Sequence, residues 1–152
     1  MTANTGSGVS LGFSTTLAAT KDETGYDALT FLEIGELQTI SGGGKTYTEV
    51  AHDRLNDRET EQLLGNFTRD PITVTVAADI DSGDASNQDA LAAIVGVDAG
   101  ASFRTRFAQR GVDRFLDARV VAAGEPSIDG ANAVVTRSFT LRPVTDTVPG
   151  AV

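Results

Sequence analysis

Pro71-Ile72-Thr73-Val74-Thr75-Val76-Ala77-Ala78 alternates apolar residues with threonine. In an extended chain Ile72, Val74 and Val76 share one face and the threonines the other. A period of two built from β-branched residues marks a half-buried strand. Upstream, 28–40 mixes β-branched, aromatic and charged residues and stops at Ser41-Gly42-Gly43-Gly44. It reads as a long strand with a bulge at Gly35, helix being the alternative, because no single alternation covers it and an interior glycine marks a slip. Downstream, 101–109 sets Phe103, Thr105 and Phe107 against Arg104 and Arg106, Gln109-Arg110-Gly111-Val112 reads as a hairpin turn, and 113–122 returns. Arg119 falls on the wet side of that return. After a loop at 125–132, residues 133–142 form a last strand with Val135, Phe139 and Leu141 on one face and Arg137 interrupting.

One helix is predicted, capped by Ser86 with Asp89 at its third position, its apolar face formed by Ala90, Leu91, Ile94 and Val95, and ended by Gly96. These elements predict a mainly β domain over 1–152, with one short helix against one side of a sheet. Residues 1–12 read as a flexible amino-terminal arm, 41–66 as a long inter-strand loop and 143–152 as an extended tail with two prolines. The loop interleaves both charge signs with Tyr47, Val50 and Leu55. That is interface chemistry, and loops of such length are functional or disordered.

Composition narrows the function. The chain has 152 residues, 21 acids against 12 bases, one histidine and no cysteine, which excludes disulfides and thiolate metal sites. Its apolar runs are far shorter than the roughly 20 residues of a membrane helix, and the amino terminus lacks the basic start and apolar run of a secretory signal. Residues 1–100 carry 16 acids against 5 bases, and 101–152 carry 5 against 7. An acidic body opposes tight binding to nucleic-acid phosphates but suits a wall past which DNA must slide.

Four motifs offer chemistry. Gly42-Gly43-Gly44-Lys45-Thr46 has the end of a phosphate loop, but Thr39 stands where the first glycine is required and no helix follows. Asp79, Asp81, Asp84 and Asp89 cluster as calcium ligands do, yet Asp84 and Ala90 occupy the glycine and glutamate positions of a calcium loop. Arg104, Arg106, Arg110, Arg114 and Arg119 alternate with Phe103, Phe107 and Phe115. In a strand the rings and guanidiniums face opposite ways, so core phenylalanines and a basic subunit-interface face (Arg104, Arg106, Arg119) fit better than single-strand binding. His52-Asp53 lacks a Gly-x-Ser-x-Gly nucleophile turn. No catalytic, metal or cofactor residue is therefore assigned.

Ile34-Gly35-Glu36-Leu37 runs into Ile40-Ser41-Gly42, followed by a polar loop with His52, Asn56-Asp57-Arg58, Glu61 and Gly65. Over 32–66 this resembles the major tail tube proteins of long-tailed, non-contractile, lambda-like bacteriophages and related gene transfer agents, and the order of elements extends the resemblance over nearly the whole chain. The resemblance implies a β-sandwich or barrel-like tail tube fold with one flanking helix, six copies to a ring and rings stacked into a hollow conduit for double-stranded DNA, located in the virion tail after assembly in the host cytoplasm. It also implies tail terminator, distal tail and tape measure partners. Carried onto this chain, the inter-ring contacts are Lys45, Tyr47, His52, Arg54, Asp57 and Arg58 with both termini. The competing reading is a monomeric β-sandwich binding module, such as a capsid decoration or carbohydrate-binding domain. It needs an aromatic platform that a chain with no Trp and only Tyr26 and Tyr47 supplies poorly.

Overall fold

The alternation at 72–77 is realised as a strand whose Val74 and Val76 are fully buried. The computed structural model describes residues 8–53, 55, 59–79 and 86–151. Along the chain run β1 (Val9–Ser14), α1 (Glu23–Asp27), β2 (Leu32–Ile34), β3 (Leu37–Gly42), β4 (Lys45–Asp53), β5 (Thr60–Arg69) and β6 (Ile72–Ala77). Then come α2 (Gln88–Ala92), β7 (Ala101–Phe107), β8 (Val112–Ala123), β9 (Thr136–Pro143) and β10 (Val148–Ala151). An eight-stranded antiparallel sheet has the order β2-β1-β7-β8-β9-β6-β3, with β10 on β8, and β4 pairs only with β5. The mainly β class inferred from sequence holds.

The sheet folds over a shared core, with β8 at the middle of its strand order. Leu11 and Phe13 of β1, Phe103 of β7, Val74 and Val76 of β6, and Phe139 and Leu141 of β9 belong to one core, so the two ends of the sheet face each other. Leu91 of α2 closes that core on one side. The opposite face of β8 is covered as well, because Phe115 packs with Tyr26 of α1 and Ala18 in a second cluster, the Tyr26 and Phe115 rings stacking at 5.2 Å.

Several expectations change. Residues 28–40 do not form one strand: β2 pairs with β1 and β3 with β6, so the chain crosses from one end of the sheet to the other between them. Gly35 sits at that crossing, where a Cβ would lie 2.8 Å from the Cβ of Ser86, so close approach rather than a bulge requires the glycine. Residues 9–12, assigned to a flexible arm, are in β1 with Leu11 in the core. The 143–152 tail is pinned, since β10 pairs Val148 with Phe115 and Gly150 with Asp113. A second helix, α1, is capped by Asp22, whose carboxylate accepts from Gly25 N at 2.8 Å. Ser86 does not cap α2; Asn87 does, in a left-handed conformation and without a side-chain bond to the helix, its Nδ2 donating instead to Glu33 O at 2.8 Å, while Ser86 Oγ donates to Asp79 at 2.6 Å. Finally, the 41–66 loop is largely strand.

Candidate assembly surface

Gly42, Gly43 and Gly44 all have positive φ, at 92°, 86° and 100°, a region that side chains disfavour. Through this twist the β3–β6 ladder continues into β4–β5: Gly43 N donates to Pro71 O at 3.1 Å and Asp70 N to Gly44 O at 3.0 Å, and Lys45 then pairs with Arg69. The result is a two-stranded arm. Nearly every residue of both strands is exposed, and each strand packs extensively only on the other.

Strand pairing sorts the arm into two faces. One carries Lys45, Tyr47 and Glu49 opposite Arg69, Phe67 and Leu64; the other carries Val50 and His52 opposite Leu63 and Glu61. A register shift lies between Tyr47 and Glu49. Near the base the Tyr47 and Phe67 rings lie 5.4 Å apart, with Lys45 Nζ 4.9 Å and the Arg69 guanidinium 5.0 Å from the Phe67 ring centre. Farther out Leu64 is 71% exposed. A two-stranded ribbon with unburied apolar residues on both faces is marginal in water by itself, which makes the arm a candidate contact surface.

Asp146, in the link between β9 and β10, reaches the base of the arm and contacts Lys45 Nζ at 2.8 Å and Arg69 Nη2 at 3.1 Å. Hydrogen bonds from Lys45 and Arg69 hold its carboxyl below the usual aspartate range. A cleft of about 310 Å³ lies here, lined in part by Gly43, Lys45, Arg69, Pro143 and Asp146. The glycine-lysine-threonine motif thus serves a bend, with Lys45 paired to Asp146 and Thr46 donating to Asp70 at 3.0 Å.

Of the residues proposed from sequence for ring contacts, Lys45 and Tyr47 lie at the arm's base and His52 near its tip. Arg54, Asp57 and Arg58 lie outside the described residues. Arg104 pairs with Glu33 and lies 4.8 Å from the Phe31 ring, Arg106 grips Asp113 in a bidentate pair at 2.9 and 3.0 Å, and Arg119 Nε donates to Asp98 O at 2.6 Å. All three have partners within the chain. Phe103 and Phe115 are buried, so no stacking platform accompanies them. His52 and Asp53 are consecutive in β4 and point to opposite faces, and Asp53 accepts from Thr60 at 2.8 Å. Of the aspartates considered for calcium, Asp89 pairs with Arg137 at 2.9 Å, while Asp81 and Asp84 lie outside the described residues. Sequence reading missed Leu63, Leu64, Phe67, Arg69 and Asp146; the β4–β5 register, invisible in the sequence, sets the first four opposite Val50, Glu49, Tyr47 and Lys45, and ion pairs to Lys45 and Arg69 bring in Asp146.

The fold as a whole has counterparts. No protein-family profile matches the chain and no curated protein matches it in sequence. Among solved structures, a chain of the anti-feeding prophage baseplate aligns over 100% of this chain and 98% of its own, with a TM-score of 0.67 at 16% identity. A chain from the tail of an empty gene transfer agent particle, solved with C6 symmetry, covers 99% of each chain with a TM-score of 0.65 at 12% identity. The chain has a tail-tube fold. The SPP1 tail tube is similar too, at a TM-score of 0.63 and 20% identity over 97% of this chain and 79% of that one. A contractile injection system's sheath–tube complex likewise contains a neighbour, at a TM-score of 0.62.

Proposed function

We propose that this chain is a structural subunit of a phage-like tail tube, closing with identical copies into hexameric rings that stack into a hollow conduit for double-stranded DNA. The observation that carries the reading is the exposed arm: Tyr47, Leu63, Leu64 and Phe67 are unburied in the single chain, on a fold whose whole-length neighbours come from tails, tubes and baseplates. Neighbours from contractile systems stand beside a gene transfer agent and SPP1, so the lambda-like, non-contractile assignment is the narrower part of the proposal and rests on the sequence resemblance. Tail terminator, distal tail and tape measure proteins are the proposed partners, and the virion tail the proposed location. No catalysis is required.

Physical arguments agree with a ring. Among the described residues no further strand pairs with the outer edge of β2 or β3, and unpaired strand edges are aggregation hazards unless a neighbour covers them. Six chains at −9 would give a ring charge of about −54, which keeps a polyanion off the wall. Negative-stain microscopy of the purified protein, alone and with its natural assembly partners, tests the reading. End-on rings with a central hole are expected; featureless monomers under both conditions would favour the solitary binding module instead.

A further inference from the structure

The arm leaves the body through three consecutive glycines on one side and Asp70-Pro71 on the other, tied by Gly43 N to Pro71 O and Asp70 N to Gly44 O, so on the glycine side the backbone sets its angle only weakly. What crosses from the body to the arm's two strands at their roots is one carboxylate, Asp146, shared between Lys45 of β4 and Arg69 of β5. A weaker contact, Arg142 Nη1 to Arg69 O, spans 3.4 Å. Asp146 is itself held from both sides. Immediately before it, Thr145 Oγ1 accepts from Asp117 N at 3.0 Å and Val144 N donates to Asp117 O at 2.8 Å. Two residues after it, β10 begins its ladder on β8 with Val148 opposite Phe115.

We infer that Asp146 is a latch that fixes the angle of the arm, and that docking of the carboxyl-terminal strand β10 on β8 is what holds the latch in place. An exposed ion pair is a weak source of stability. Here it has only to choose among orientations of a glycine-hinged ribbon whose strands, among the described residues, pack extensively only on each other, a choice that a small bias decides. Peeling β10 from β8 carries Asp146 away from both cations and frees the arm. The arm and the carboxyl terminus, two elements far apart in sequence, thereby respond together. The coupling belongs to the single chain and does not depend on whether rings form.

Because the sequence lacks cysteine, spin labels on Gln62→Cys in the arm and Ala93→Cys beside α2 report the arm angle by pulsed EPR in dilute, unassembled protein. The latched chain is expected to give one narrow distance population. Asp146→Ala should broaden it, Asp146→Glu should leave it narrow, and thermal unfolding should confirm an intact body in each. Gly150→Leu lifts β10 without shortening the chain, since a Cβ there would meet Phe115 Cε2 at 2.6 Å; truncation after Thr147 removes the strand altogether. Both should broaden the distribution as Asp146→Ala does. A distribution equally narrow in Asp146→Ala refutes the latch. Broadening in Asp146→Ala with neither carboxyl-terminal variant following refutes the control by β10.

Discussion

Asp117 gathers three side-chain partners. It is buried on the outer face of β8, where it accepts from Ser102 Oγ at 2.7 Å and from Tyr26 OH at 3.1 Å and pairs with Lys21. Lys21 is partly exposed and can regain water, but the two hydroxyls cannot. Asp117→Ala should therefore cost about 2 kcal/mol or more in urea unfolding, since each buried hydroxyl stripped of its acceptor costs about 1–3 kcal/mol. Ser102→Ala, which leaves Tyr26 and Lys21 their acceptor, should cost less. Tyr26 adds a pH signature: burial pushes its phenol from 10.0 up to about 12. The folded chain then keeps a proton that the unfolded chain releases, so the stabilisation is full below pH 10 and is lost as pH rises through about 12. An alkaline unfolding series should show this loss, and Tyr26→Phe should flatten it. A series equally steep in Tyr26→Phe would assign the alkaline transition elsewhere.

Among the elements, the arm and the bend that launches it separate two kinds of glycine. A Cβ on Gly42 would lie 2.3 Å from Pro71 O, whereas one on Gly44 meets nothing within 4 Å. Both have positive φ, which costs a side chain of order 1–3 kcal/mol. Gly42→Ala adds a backbone clash, so it should lower the thermal midpoint well beyond Gly44→Ala; equal effects would mean that the twist yields under the load. The same contrast explains what was legible in the sequence. Val74, Val76, Phe139 and Leu141 each have one dry face, and their alternation gave away β6 and β9. β4 and β5 have no dry face, so hydrophobic periodicity had nothing to record and the ribbon passed for a loop. Leu11 and Val148 escaped for another reason: their strands lie against partners distant in sequence, β7 and β8, and tertiary pairing decided them. Arg104 and Arg106 were read as one basic face, but the register sets Asp113 opposite Arg106, which only the fold reveals.

At the scale of the whole molecule, two forces oppose each other when copies meet. A net charge of −9 repels, and with a screening length of about 10 Å at 0.1 M salt the repulsion persists across a subunit contact. Burial of the arm's apolar residues attracts, at roughly 25 cal/mol per Å², and salt does not weaken it. Raising sodium chloride should therefore lower the protein concentration at which assemblies form, followed by light scattering. Were ion pairs the dominant glue, the threshold would rise instead. Leu64→Lys separates assembly from folding most sharply: Leu64 is 71% exposed and lies outside both cores, so the thermal midpoint should stay where it is. On the arm face beside Tyr47 and Phe67, the new charge would have to be desolvated against a neighbour, at a cost several times that of a lost methyl contact. Assembly should fail at concentrations where the unaltered chain polymerises. Rings or tubes forming at the same threshold from Leu64→Lys would show that this face of the arm stays in water, and would move the contact surface to the Val50–Leu63 face or to the open edges of β2 and β3.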